Sequence, residues 1–153
     1  MLQMLQVRRA GWADVPAIVD FQIKMALETE GLQLDMQLVQ AGVSGVFEDS
    51  SRGIYYVAEV DGRIVGSLLT TFEWSDWRNG TVLWIQSVFV LPFFRRRGVY
   101  RRMYQYLQEL VKNDVTLRGI RLYADHTNTA AHQAYRNLGM NDDHYRTFEW
   151  MKE

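Results

Sequence analysis

The stretch Val88-Phe89-Val90-Leu91-Pro92-Phe93-Phe94-Arg95-Arg96-Arg97-Gly98-Val99-Tyr100-Arg101-Arg102-Met103 decides how this chain is read. An apolar run that reads as a buried strand stops at Pro92, and three arginines and Gly98 follow. Val99, Met103, Tyr106, Leu107, Leu110 and Val111 then recur with the period of a helix face. Strand, basic glycine-bearing turn and helix start are the parts of an anion site. The first N–H groups of a helix lack internal partners and sit at its positive end. With the arginines added, the ligand this pattern suits is phosphate, including the pyrophosphate of a nucleotide-like cofactor. A solvated arginine cluster at an ordinary strand-to-helix turn fits these residues equally well.

Composition narrows the rest. A chain of 153 residues with 48% hydrophobic content fits a single domain, 1–153, with a sizeable core. The formal net charge of −1 argues against a general polyanion binder, and the basic character is local, with five arginines between Arg95 and Arg102. Without cysteine there is no disulfide, thiolate metal site or cysteine nucleophile. Gln3, Gln6, Arg8 and Arg9 interrupt any leader-like apolar segment, and no apolar run approaches membrane-spanning length. The expectation is a cytoplasmic protein that engages neither membrane nor metal.

Leu5 to Arg9 alternates like a half-buried strand. Asp14 reads as a helix N-cap, with Pro16 in the first turn and Val15, Ile18, Val19, Ile23 and Ala26 as the apolar stripe. Gly31 suits the left-handed cap that ends this helix. Glu28 and Glu30 oppose the macrodipole there, which calls for something else to favour them or for simple solvation. Asp35 caps a second helix, in which Gly42 and Gly45 are poor helix formers. Gly53–Val60 and Arg63–Phe72 read as a hairpin about Asp61-Gly62, with Gly66 marking a bulge or close approach.

A polar, aromatic-studded loop, Glu73 to Gly80, leads to an interior strand from Thr81 to Leu91. The helix from about Arg97 to Lys112 and a strand from Arg118 to Ala124 make a right-handed parallel crossover. Asn128 to Gly139 reads as a short helix, and His144 to Met151 as a last strand. The order predicts an α/β (α+β) fold: a mixed, mostly antiparallel sheet with one parallel β-α-β crossover and helices on both faces.

Two motifs in this order resemble the GNAT superfamily of acyl-CoA-dependent N-acyltransferases, over almost the whole chain. The family's Gln/Arg-x-x-Gly-x-Gly/Ala is here Arg95-Arg96-Arg97-Gly98-Val99-Tyr100, after a strand ending Val88 to Pro92. Its Asn-x-x-Ala-x-x-x-Tyr-x-x-x-Gly is here Asn128, Ala131, Tyr135 and Gly139. Tyr100 stands where the family places a small residue that lets the helix approach the cofactor.

The resemblance implies that acetyl-CoA is the acyl donor. The amides of Arg95 to Tyr100, including those of Arg96, Arg97, Gly98 and Val99, would hold its pyrophosphate. Val88, Phe89 and Val90 would border its pantetheine arm, with backbone bonds from Val88 and Val90. Arginine side chains would pair with the 3′-phosphate, and Asn128, with Ala131 in the same motif, would reach the pantetheine. Tyr135 would be the general acid that protonates the departing thiolate, since a phenol with a pKa near ~10 is protonated at neutral pH. Packing the core beside Ala131 and Leu138 is the plain alternative; the spacing from Asn128 favours the functional role, and the two are compatible.

The attacking amine must shed a proton. The strand from Thr81 to Leu91 lacks the carboxylate that many family members carry there, so Glu73 is the first candidate base, followed by Glu28 and Glu30. A solvated loop acid is the plain alternative for Glu73. Phe21, Glu28, Trp74, Trp77, Trp84, Gln86 and Tyr145 are candidates for the acceptor pocket, a mixture suited to an amine with an apolar body. The leading expectation is N-acetyl transfer to a primary amine of a small molecule. A peptide or protein acceptor is the variant, and a non-catalytic acyl-CoA-binding module is the alternative of another class. Nucleic-acid binding is disfavoured by the near-neutral charge, and an edge strand near the C-terminus would allow a homodimer.

Overall fold

The computed structural model describes residues 4–153. The chain divides into two compact units, Met1–Arg121 and Leu122–Glu153. The first holds β1 (Leu5–Arg9), α1 (Val15–Glu30), α2 (Met36–Glu48), β2 (Ile54–Val60), β3 (Arg63–Ser75), β4 (Gly80–Val90) and α3 (Val99–Asn113), in that order. β5 (Leu117–Leu122) ends at the boundary, and the second unit holds α4 (Thr129–Asn137). The strands run in the order β1-β2-β3-β4-β5, with the first three pairings antiparallel. β5, reached through α3, makes the sheet mixed.

Local chemistry explains the joints. Asp61 and Gly62 both take positive φ, 50° and 80°, the backbone of a two-residue hairpin turn whose twist matches its strands. Beside Gly66 the β2–β3 register slips by one residue, and a Cβ there would stand 3.1 Å from the Phe89 carbonyl oxygen. That glycine therefore marks both a bulge and a close approach. Gly31 takes φ 63° and closes α1, while Asp35 Oδ1 accepts from the N–H groups of Gln37 and Leu38 and opens α2.

Alternation along β2 divides the core between two faces. Tyr55 and Val57 join Val15, Ile18, Val19 and Val43 in the layer under α1 and α2. Tyr56, one residue out of phase, meets Tyr106 of α3 with ring centroids 5.6 Å apart. α3 buries Val99, Met103, Tyr104 and Leu107. Helices thus cover both faces of the sheet.

Three expectations are corrected. β3 runs on through Glu73 and Trp74 to Ser75, paired with Val82, Thr81 and Gly80. The left-handed Asn79, φ 47°, keeps the connection short enough for the ladder to persist to its tip. Asp14 stands at the N-cap position of α1 but its side chain caps no N–H there: its carboxylate accepts from the Arg8 guanidinium at 2.7 and 3.0 Å and from Gly11 N–H at 2.8 Å. Residues 144–151 form no strand, because alternation makes a strand only where a ladder partner completes it. The edge on which a homodimer was expected is therefore not formed by this segment.

Candidate active site

The end of β4 is bent. Ser67 faces Phe89 and Leu69 faces Gln86, so Ser87 and Val88 together oppose the single residue Leu68. Ser87 takes φ 54° to accommodate the extra residue, and such bulges bend a strand and re-aim its groups. Past Pro92–Phe94, a single 3₁₀ turn with Phe94 buried, the backbone turns left-handed at Arg96 (φ 61°) and at Gly98 (φ 83°). Alternating hand turns successive N–H groups inward, a concavity that suits an anion, and here it opens directly into α3. The side chains of Arg96 and Arg97 are exposed, and the Arg97 guanidinium lies 4.5 Å over the Phe93 ring. Tyr100 is half-buried in the first turn of α3, its ring 6.4 Å from that of Tyr104.

Beside this turn is a cleft of about 270 Å³, lined by Met25, Glu28 and Thr29 of α1, by Val88, Phe89 and Val90 of β4, and by Arg95. Arg95 reaches across it. Its Nη1 and Nη2 donate to Glu28 Oε1 and Oε2 at 2.5 and 2.9 Å, and its Nε donates to the Val90 carbonyl oxygen at 2.8 Å. The guanidinium stands 5.3 Å over the Phe89 ring, whose other neighbour is Phe21, 5.1 Å away. The bond from Arg95 holds the Glu28 carboxyl below the ordinary glutamate pKa. Of the two readings open for Glu28 at the helix C-terminus, a favouring partner or simple solvation, the structure shows the partner, Arg95.

Glu73 belongs to a second cluster. It accepts from Trp84 Nε1 at 2.7 Å and from Arg121 Nη1 at 2.9 Å. The Trp84 bond first, and then Arg121, depress its pKa. That is the opposite of what a general base needs, since a base must take up a proton near working pH. Gln86 Nε2 donates to Thr71 Oγ1 at 3.0 Å. Trp74 and Trp77 are 65% and 91% exposed along the β3–β4 hairpin, and neither lines the cleft. Of the residues expected around the acceptor, the structure brings Glu28 to the cleft and Phe21 to its Phe89 wall. Trp84 and Gln86 lie on the sheet, and Trp74 and Trp77 stand out on the hairpin.

In the second unit Asn128 Oδ1 accepts from Ala131 N–H at 3.1 Å and caps α4. Gly139, at φ 91°, follows its end. Tyr135 is half-buried on this helix, and burial pushes its phenol above the ordinary tyrosine pKa. Tyr145 is 76% exposed, with the His144 ring 6.3 Å away. Among the described residues no group of three or more His, Cys, Asp or Glu is placed to hold a metal, and no helix is long and apolar enough to cross a membrane.

Sequence reasoning missed both arginine–carboxylate pairs, which span 67 and 48 residues. No local spacing announces contacts that long. It also missed Gln22 and Ser67, whose buried Nε2 and Oγ find no partner among the described residues.

A bulged strand end, a turn that is left-handed at Arg96 and Gly98, and a long helix follow one another here. The family model described as Acetyltransferase (GNAT) family matches residues 23–140, and the chain belongs to that family and is an acyltransferase. A crystal structure of a possible acetyltransferase from Clostridium difficile 630 is 35% identical, with a TM-score of 0.91 over 99% of each chain. An aminoglycoside acetyltransferase, meta-AAC0020 from an uncultured soil metagenomic sample, solved in complex with sisomicin, is 15% identical, with a TM-score of 0.77 over 98% of this chain and 97% of that one. A predicted acetyltransferase from Clostridium acetobutylicum, solved with acetyl-CoA, is 20% identical, with a TM-score of 0.71 over 98% of this chain and 96% of that one. At such identities the last two show the fold alone. None of the curated proteins matches the chain.

Proposed function

We propose that residues 1–153 act as one cytoplasmic N-acetyltransferase domain that moves an acetyl group from acetyl-CoA to a primary amine of a small molecule. The observation that carries this reading is the left-handed turn at Arg96 and Gly98, opening α3 beside the cleft at the bulged end of β4. The N–H groups of that turn would hold the pyrophosphate, and Val88 and the Val90 N–H would pair with the pantetheine arm. Acetyl-CoA supplies a thioester whose carbonyl carbon exchanges a bond to sulfur for one to nitrogen. Tyr135 would give its phenol proton to the departing sulfur, and its raised pKa supports a phenol that stays protonated at neutral pH. Asn128 would reach the pantetheine from the start of α4.

The Arg95 bond makes Glu28, and the Trp84 and Arg121 bonds make Glu73, a weaker base than an ordinary glutamate, so we do not propose either in that role. The amine would arrive unprotonated, its proton left in solution. The complexes of similarly folded proteins with sisomicin and with acetyl-CoA support a small polar amine and this donor.

The test is a thermal melt with and without acetyl-CoA, followed by thiol release against a panel of amines, amino acids and peptides. A ligand at about a hundred times its dissociation constant stabilises by ~2.7 kcal/mol, a shift easily seen. No shift at millimolar acetyl-CoA defeats the reading. Binding without thiol release on any amine or peptide leaves the non-catalytic module as the answer.

A further inference from the structure

Arg95 occupies the first position of the phosphate-binding motif, yet its guanidinium is aimed elsewhere. Leu91 N–H donates to the Val65 carbonyl on β3 at 2.8 Å. By the alternation of an antiparallel ladder, the N–H and C=O of the preceding residue, Val90, then point away from β3. Arg95 Nε donates to that Val90 oxygen. The guanidinium fork is filled by both oxygens of Glu28, the two-oxygen geometry a phosphate would offer. The Phe89 ring lies against the plane. Strand, helix and ring thus fix one side chain from three directions.

We propose that Arg95 is a register pin set by Glu28, and that it takes no part in binding the donor's 3′-phosphate. Arg95 fills the hydrogen-bonding place at the Val90 carbonyl, and so ends the length of β4 along which the donor's amide-bearing arm can pair. This inference rests on the cleft being the acyl-CoA site. An arm that pairs with Val88 and with the Val90 N–H is stopped at one rung. Slippage by one repeat of the ladder would carry the thioester two residues along, roughly 6.6 Å, far outside the ~3–3.5 Å approach that attack requires. Phosphate recognition falls instead to the turn's N–H groups and to Arg96 and Arg97, both exposed beside it. Glu28 is then a positioning residue that acts through Arg95, not an anchor for the amine.

Arg95→Ala, Arg95→Lys and Glu28→Gln test this through dissociation constants for CoA and dephospho-CoA, with kcat and KM measured alongside. The ratio of the two affinities should stay within about twofold of wild type in every variant. The kcat should fall on the order of tenfold to a hundredfold, as far in Arg95→Lys as in Arg95→Ala, because lysine restores charge but not the Nε bond or the fork. A ratio that collapses toward one in Arg95→Ala overturns the proposal, as does wild-type kcat in Arg95→Lys. If the Arg95 variants do not fold, Glu28→Gln carries the same two readings. A wild-type protein that binds neither CoA nor dephospho-CoA refutes the acyl-CoA reading itself, an outcome distinct from the loss of a pin.

Discussion

Glu28 with Arg95 and Glu73 with Arg121 are the same chemistry in two settings. Each is a half-exposed carboxylate gripped by one guanidinium, with side-chain exposures of 46% and 37% in the first pair and 35% and 29% in the second. The first lies in the wall of the cleft and ties α1 to the end of β4. The second lies on the sheet, where Glu73 of β3 takes Trp84 of β4 and Arg121 of β5 as its donors. Exposed ion pairs of this kind contribute about 0–1 kcal/mol wherever they sit. Strength therefore does not separate them. What separates them is what each one holds still: a strand end beside a cavity in one case, an indole on a sheet in the other.

The largest expected effect calibrates both. Tyr135→Phe should lower kcat by ~10²–10⁴-fold while leaving the affinity for acetyl-CoA near wild type. Wild-type turnover, in an assay shown to be limited by chemistry, would remove Tyr135 as the acid and with it the scale on which the pairs are compared. Next comes Glu73→Gln, for which activity should change by less than about fivefold, the worth of an exposed pair. Its pH profile should run parallel to wild type. Where only the unprotonated amine reacts, kcat/KM should climb about tenfold per pH unit below the amine's pKa in both proteins. A Glu73→Gln profile that falls away selectively at low pH would show Glu73 acting as the base and erase the contrast.

The smallest effect concerns acid stability. Both carboxyls have folded pKa values below the ordinary glutamate value. The unfolded chain therefore binds more protons in this range. The stability these groups contribute is fully present above the unfolded pKa of about 4.3 and is lost as pH falls through the depressed folded values. Chemical denaturation from pH 5 down to pH 2 should show a shallower loss of stability in the double variant Glu28→Gln, Glu73→Gln than in wild type. The difference should stay within about 1 kcal/mol, since solvent screens both pairs. A slope equal to wild type would mean that neither pair forms in solution.

The frame was open to reading wherever one residue type answers a local backbone demand. Asp61-Gly62, Gly31, Asp35 and Asn128 each sit where their conformation or side-chain oxygen is needed, and each does what was expected there. The turn before α3 was open for the same reason, because glycine and helix start are adjacent in the chain. The pairs across the fold were hidden. Glu28 gave one faint sign, an acid on the wrong end of a helix dipole, while Glu73 looked like a loop residue because nothing in Glu73-Trp74-Ser75 reveals that the ladder continues. Residues 144–151 misled in the other direction: their alternation is real, but a pattern of side chains does not supply the neighbour that a strand requires.

Arg96 carries a consequence of another kind. A branched-charge side chain on left-handed backbone costs on the order of 1 kcal/mol relative to a relaxed conformation, and asparagine tolerates that conformation better than most residues. The shape of the turn is thus dictated by Pro92, Gly98 and the packing of Phe94 and Val99, and Arg96 is carried along by it. A lineage of such proteins would be free to exchange the charge at this position while the curve of the main chain stayed put. The charge beside the turn could in this way change by drift at one surface side chain, without disturbing the main-chain amides around it.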